Sequence, residues 1–327
     1  MMFTVVEVVI KGLIVILVLM GAAAYMTFCE RVILARMQIR LGPNRVGPLG
    51  LLQPIADGLK LLLKEGFQPN NVDTFTYWLA PGISLITAFA AFTLIPIGGT
   101  ILLWDHPIHL YIADVNAGIV FLLAFSSLAV YGIVLAGWAS NNRYSLLGGL
   151  RGTAQMISYE IPMGISLMTV VMAAGTLSLP EIIDAQKDQW FVWTNPIGFI
   201  IYVITAFAET NRAPFDLPEA EQELIGGYHT EYGGMKFAMF FLAEYVNILA
   251  VSAIAVTLFL GGWHGPGNIP VLWFALKVAA FVFLFIWVRA TMARLRYDQL
   301  MSFGWKVLIP IATANLIVTS YFTLVAK

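Results

Sequence analysis

Six carboxylates crowd into 23 positions of this chain. Glu209, Asp216, Glu219, Glu221, Glu223 and Glu231 lie within AETNRAPFDLPEAEQELIGGYHTEYGGMKF at 208–237. Carboxyls this close titrate as a set, each proton altering the affinity of the others. With Arg212 among them, such a set can take up or release protons when a nearby charge changes. Part of the crowding has a plainer reason. Asp216-Leu217-Pro218-Glu219 reads as a helix start, with an N-cap acid, an early proline and further acid in the first turn. That reason covers Asp216, Glu219 and Glu221. It does not cover Glu223, four residues after Glu219, where like charges repel. Nor does it cover Glu231. Gly226-Gly227 and Gly233-Gly234 break any helix here and permit close backbone approach.

Two more acids stand inside long apolar runs. Glu160 is nine residues past Arg151, and Glu244 is eight past Lys236. At about 1.5 Å per helical residue, each lies roughly 12 Å from the nearest polar flank. Such a group costs roughly 2.5–3.5 kcal/mol to insert, so it calls for a reason. Equal depth on helices entering from one face would let the two share a buried polar layer. The plainer alternative is a neutral acid hydrogen-bonded inside a bundle. Tyr159, Tyr245 and Asn247 stand close by in sequence. Glu30 and Glu209 close two other apolar runs, where an interfacial carboxylate is cheap.

These acids must be positioned by membrane helices. The 327 residues are 59% hydrophobic and 11% charged, against about 25% charged in soluble domains. Mean hydropathy is +0.82. Eight apolar runs are long enough to span: about 5–28, 75–97, 113–137, 153–175, 191–208, 236–260, 271–290 and 304–325. Without period-two alternation a barrel is excluded, and the fold class is an all-α integral membrane bundle. No soluble domain or internal repeat interrupts it. The near-zero net charge gives no footing for nucleic acid. One cysteine, Cys29, and the scattered His106, His109, His229 and His264 offer no ligand spacing for zinc or an iron–sulfur cluster. Any redox cofactor is therefore expected in a partner.

Basic residues alternate between loops. Arg31, Arg36, Arg40, Arg45, Lys60 and Lys64 occupy 29–72, Arg143 and Arg151 lie in 138–152, Arg212 and Lys236 in 209–236, and Arg289, Arg294 and Arg296 in the last internal loop. The other connections hold only Lys187, with Lys11 and Lys327 near the ends. This predicts both termini outside and the long loops cytoplasmic. Lys277, near Trp273, is expected to snorkel to the outer surface. In GLLQPIADGLKLLLKEGF, Gln53, Asp57, Lys60 and Lys64 share a helical face opposite Leu52, Ile55, Leu59, Leu62 and Leu63. This predicts an interfacial amphipathic helix at about 50–65. It would serve as a surface anchor or, alternatively, as a wall of an opening for a lipid-soluble substrate. The pattern alone favours the anchor.

Five long strings carry a family resemblance: ERVILARMQIRLGPNRVGPLGLLQPIADGLKLLLKE, GWASNNRYSLLGGLRGTAQMISYE, the acidic segment, FLAEYVNI and RYDQLMSFGWK. With them the chain resembles, end to end, the eight-span membrane subunit of respiratory complex I that joins the membrane and peripheral arms. RATMARLRYDQ departs from the family in lacking a proline near Ala293. The resemblance implies a bacterial inner-membrane subunit of a proton-pumping NADH:quinone oxidoreductase. Quinone would be the substrate, with FMN and iron–sulfur clusters carried by partner subunits. It implies peripheral-arm quinone-module subunits and antiporter-like membrane subunits as neighbours. It places Glu30, Arg31, Arg36 and Asp57 by the quinone passage, which turns the amphipathic helix into an entrance wall. Glu209, Arg212, Asp216, Glu219, Glu221, Glu223 and Glu231 would form the charged loop beneath the cavity. Glu160 and Glu244 would continue it into the membrane, and Arg289, Arg294 and Arg296 would face both these acids and the peripheral arm. Two other readings stand beside this one: an anchor subunit of a related hydrogenase or ferredoxin- or deazaflavin-linked complex, and a free-standing ion transporter. The missing inverted repeat argues against the transporter.

Overall fold

In hydrocarbon no water satisfies a peptide group, so apolar runs fold into helices that satisfy their own. The computed structural model describes residues 2–103, 106–219, 221–267 and 269–325; side chains at 2–5, 101–103, 106–108 and 221–222 are outside the described set. The side chain expected to act at Glu221 therefore lies outside the described residues.

The helices are α1 (Met2–Met37), α2 (Gln53–Leu63), α3 (Thr74–Phe92), α4 (Gly118–Ala139), α5 (Arg143–Ala174), α6 (Leu179–Asp184), α7 (Phe191–Thr194), α8 (Pro196–Glu209), α9 (Glu221–Leu224), α10 (Gly234–Phe259), α11 (Pro270–Thr291), α12 (Tyr297–Phe303) and α13 (Ile309–Val325). A π-helical turn at Gly304–Leu308 joins the last two into one span. An antiparallel hairpin, β1 (Thr100–Leu103) with β2 (His106–His109), is the one strand pair among the described residues. Among the described residues, seven helices are long and apolar enough to cross a membrane. The fifth expected span differs. Asn195 interrupts it: its side chain accepts from Gly198 N at 3.0 Å, and Pro196 follows at the first helical position. Both are helix-start signals, so the run restarts as α8. The 14 residues of α8 reach about 21 Å, short of the ~30 Å core.

α5 and α10 are the inner pillars. α5 packs on α4, α8 and α13, while α10 packs on α3, α11, α1 and α2. The membrane-crossing part of α10 is 67% buried and that of α1 is 11%, so α1 keeps most of its surface for lipid or other chains. α2 turns its half-buried Gln53 and Asp57 towards α1 and leaves Ile55, Leu59 and Leu62 exposed. Lys277 reaches the connection that follows α10. Its ammonium donates to the carbonyls of Leu260 (2.6 Å), Gly262 (3.0 Å) and His264 (2.6 Å), beside the Trp190 ring. It thereby satisfies carbonyls left open where α10 ends.

The acidic segment folds against α5. The helix expected to start at Asp216 begins only at Glu221. Its backbone closes the loop instead: Leu217 N donates to Phe215 O (3.0 Å), and Tyr228 N to Pro218 O (3.3 Å). Gly148 and Gly152 of α5 provide the seat. A Cβ on Gly148 would lie 2.8 Å from Gly227 Cα, and one on Gly152 2.7 Å from Pro218 Cγ. Gly227 has φ +58°, and its own Cβ would lie 1.8 Å from the Pro218 carbonyl. Gly227→Ala should therefore displace the acidic loop, at a cost of about 1–3 kcal/mol. The check is a lower thermal midpoint of the purified complex, with Gly175→Ala as a reference for a positive-φ glycine (φ +76°) in open space.

Candidate functional site

Beyond Glu209, the last residue of α8, the chain turns sharply. Thr210 Oγ1 donates back to Ala206 O at 3.0 Å, and Asn211 takes φ +52°, a region asparagine tolerates better than most residues. Gln155 of α5 fixes both sides of the turn, its Nε2 donating to Ala208 O and Phe215 O at 2.7 Å each. Leu295 N donates to Pro214 O at 3.1 Å and ties in the last internal loop. The turn thus aims Arg212 into the bundle.

Arg212 is 7% exposed there. Its Nη1 lies 3.1 Å from Glu30 Oε1 of α1, and its Nε 2.5 Å from Glu244 Oε1 of α10. Arg289 of α11 contacts the same Glu30 oxygen. Tyr245 donates to Glu30 Oε2 at 2.5 Å, and its ring lies 4.5 Å from the Arg212 guanidinium carbon. Four elements distant in sequence meet at one cluster. Two guanidiniums there meet two carboxylates, and among the described residues the ion pairs of both go to Glu30 and Glu244 rather than to Glu219. Burial above all, then Glu244 and Asp216, push the Glu219 carboxyl well above its usual range, against the pull of Arg212 and Arg289. Glu219 is thereby biased towards holding a proton.

Glu209, Asn211, Glu219, Tyr228, Glu244 and Asn247 line a single cavity of about 40 Å³, room for a few waters at about 10–15 Å³ each. From Glu209 the polar contacts continue along α4. Ser126 contacts Glu209 Oε1, and the next residue, Ser127, contacts Glu160 Oε1. Glu160 and Glu244, expected in one layer, thus hold different partners. The cavity spans Glu244 and Glu209, and the serine pair spans Glu209 and Glu160.

The other expected site residues sit at the rim. Glu231 Oε1 accepts from Asn142 Nδ2 at 2.7 Å, and its carbonyl accepts from Tyr77 OH at 2.6 Å. Glu223 is exposed, 2.9 Å from Arg151 and 4.0 Å from Arg294. Arg296 turns outwards to Asp298 at 3.2 Å. Arg31 Nη1 lies 2.5 Å from Asp57 Oδ2, and Gln53 donates to the other Asp57 oxygen at 2.9 Å. Arg36 is exposed at the end of α1. Sequence reasoning missed Ser126, Ser127 and Gln155. The only available signal was polar residues within apolar runs, and serine is too common in helices to stand out.

Comparison with known proteins bears on this constellation. The family model described as NADH dehydrogenase matches residues 10–320. The NADH-quinone oxidoreductase chain lettered H in Protochlamydia amoebophila is 76% identical over 304 residues, 93% of this chain and 94% of that protein. The first of the H-lettered chains of the same enzyme in Geobacter metallireducens is 52% identical over 95% of this chain and 94% of its own length. The second in Geobacter sulfurreducens is 51% identical over the same shares. The chain belongs to the H-type family of NADH-quinone oxidoreductase subunits. The resemblance read from the five strings is therefore right at family level, and the hydrogenase-anchor and free-transporter readings give way to it. Membership makes this a multi-pass membrane subunit of a larger enzyme.

Two outcomes follow from the cluster. Arg212→Met strands Glu244, while Glu30 keeps Arg289 and Tyr245, and removing one side of a buried ion pair costs about 3–5 kcal/mol. The assembled complex should melt earlier, and adding Glu244→Gln should recover part of the loss. Thermal unfolding of the detergent-solubilised complex checks both. His229 is buried 3.9 Å from Glu219, and burial holds its ring down at about 4. Below about pH 6.5 the unfolded chain takes up a proton that the buried ring refuses. Stability is therefore lost as pH falls from about 6.5 towards 4. His229→Gln should flatten that part of a melting-temperature profile.

Proposed function

We propose that this chain guides quinone from the bilayer and converts the charge change of its reduction into proton movement through buried carboxyls. The observation that carries the reading is the cluster at Arg212: two guanidiniums, more carboxyls than they neutralise, and a water-sized cavity joining Glu219, Glu244 and Glu209. Such a set is poised to shift a proton when a neighbouring charge appears. A charge arriving beneath it changes which carboxyl holds the surplus proton, and Ser126, Ser127 and Glu160 carry the response further into the bundle.

The quinone passage runs, on this reading, between α1, α2 and α10. The exposed Ile55, Leu59 and Leu62 of α2 suit an isoprenoid tail, and the Arg31–Asp57 pair fixes α2 on α1. Arg36 lies at the mouth. Arg294 and Arg296 face the peripheral-arm subunits, and antiporter-like subunits flank the membrane side. The iron–sulfur clusters belong, on this reading, to partner subunits, since one cysteine and scattered histidines supply no ligand set, and FMN is assigned to the partners with them. In a bacterium the acidic loop lies on the cytoplasmic side of the inner membrane, following the distribution of Lys and Arg.

The test uses the purified complex in proteoliposomes. Glu244→Gln and Glu219→Gln should each lower proton translocation several-fold relative to quinone reduction. Normal pumping in both assembled variants would refute the coupling role. Asp57→Asn should raise the apparent KM for quinone several-fold with a smaller change in kcat; unchanged kinetics would remove α2 from the passage.

A further inference from the structure

Ser127 has more hydrogen-bond partners than one hydroxyl can serve as a donor. Its Oγ lies 3.0 Å from Leu123 O, one helical turn back, and in close contact with Glu160 Oε1. A serine hydroxyl carries one hydrogen and two acceptor lone pairs. It can donate to the carbonyl or to the carboxyl, never to both. If Glu160 is ionised, the hydrogen must point at Oε1. If Glu160 is protonated, its O–H points at Oγ, and the serine hydrogen turns back to Leu123 O, the usual i−4 bond of a helical serine. Both arrangements fit the same heavy-atom positions, and Glu160 keeps a partner in each.

Ser126 offers a contrast on the adjacent residue. It contacts Glu209 Oε1, and no carbonyl contact competes for its hydroxyl among the described hydrogen bonds. The second Glu209 oxygen is buried with no partner among the described residues. Glu209 thus has one serine partner and one oxygen unpaired among the described residues, whereas Glu160 has an adjustable partner. A buried group left unpaired costs about 1–3 kcal/mol. A partner that serves both charge states avoids that cost on either side of the protonation.

We propose that Ser127 is a positioning residue for Glu160, its hydroxyl turning between the Leu123 carbonyl and the Glu160 carboxylate as Glu160 gains and loses a proton. In that step an O–H bond forms at Glu160 Oε1 as one breaks at another carboxyl of the coupling set, Glu209 being the next reached along α4, and the reverse step returns the proton; the Ser127 O–H only rotates and keeps its hydrogen. The proposal rests on the reading of Glu160 as part of the proton-coupling set.

The experiment is redox-induced infrared difference spectroscopy on the assembled complex, paired with proton-pumping ratios in proteoliposomes. Glu160→Gln should remove one protonated-carboxyl C=O band. Ser127→Ala should move that band to higher wavenumber and lower the protons pumped per quinone reduced. Ser127→Thr, which keeps the hydroxyl, should restore both towards the unmodified complex. A general packing defect would alter pumping without moving the Glu160 band. The proposal is overturned if Ser127→Ala leaves the band in place, or if no band disappears in Glu160→Gln. Should Ser127→Ala fail to assemble, Ser127→Cys, a weaker donor of similar size, makes the same comparison. Impaired pumping in Glu160→Gln with an unmoved band in Ser127→Ala defeats the serine role alone. Full pumping in Glu160→Gln defeats the coupling reading as well.

Discussion

The arrangement depends on one buried cation. Arg212 is held away from water against Glu30 and Glu244, which come from the first helix and a central one. Burying ionised groups costs several kcal/mol each unless they are paired and hydrogen-bonded. Here the pairing is dense, with Arg289 on Glu30, the Tyr245 hydroxyl on its second oxygen, and the Tyr245 ring against the guanidinium. A cluster balanced in this way imposes a rule on every further acid nearby: with the cations already matched, the next carboxyl is better off protonated. Glu219 is that next carboxyl.

Such a cluster has to be assembled by the fold, and the devices are small residues and amides. Gly148 and Gly152 let α5 receive Pro218 and Gly227 of the acidic loop at near-contact distance. Gln155 holds the turn before and after Arg212 by two carbonyls. Asn142 both caps α5 and holds Glu231. None of these groups is charged. Their combined effect is to make the acidic loop a fixed part of the membrane bundle, so that a charge change beneath it meets carboxyls already in place.

α2 belongs to the same design. A helix on a protein surface commonly buries its apolar side and shows its polar one. α2 does the reverse, with Asp57 and Gln53 towards α1 and its leucines outwards. In a bilayer that outer side meets lipid tails, so the helix is at once an anchor and a boundary that an apolar molecule can approach.

The sequence by itself determined the class of fold, because hydrophobic length and the distribution of Lys and Arg are local properties that a bilayer reads directly. It also marked Glu160 and Glu244 as anomalous in any apolar run, and the five strings were long enough to carry the family. Tertiary structure decided everything that depends on which helices touch. Glu30 looked like an interfacial charge and is instead the meeting point of two arginines, Arg212 and Arg289. Glu160 and Glu244 could share one layer by depth alone, and the fold gives each its own partner, Ser127 for one and Arg212 for the other. Asn195 broke a span that hydropathy drew as continuous, and Lys277 met carbonyls at the end of α10. In each case the deciding interaction joins residues far apart in the chain or depends on the direction of a side chain. Composition and periodicity record which residues are costly to bury, but not which partner will meet that cost.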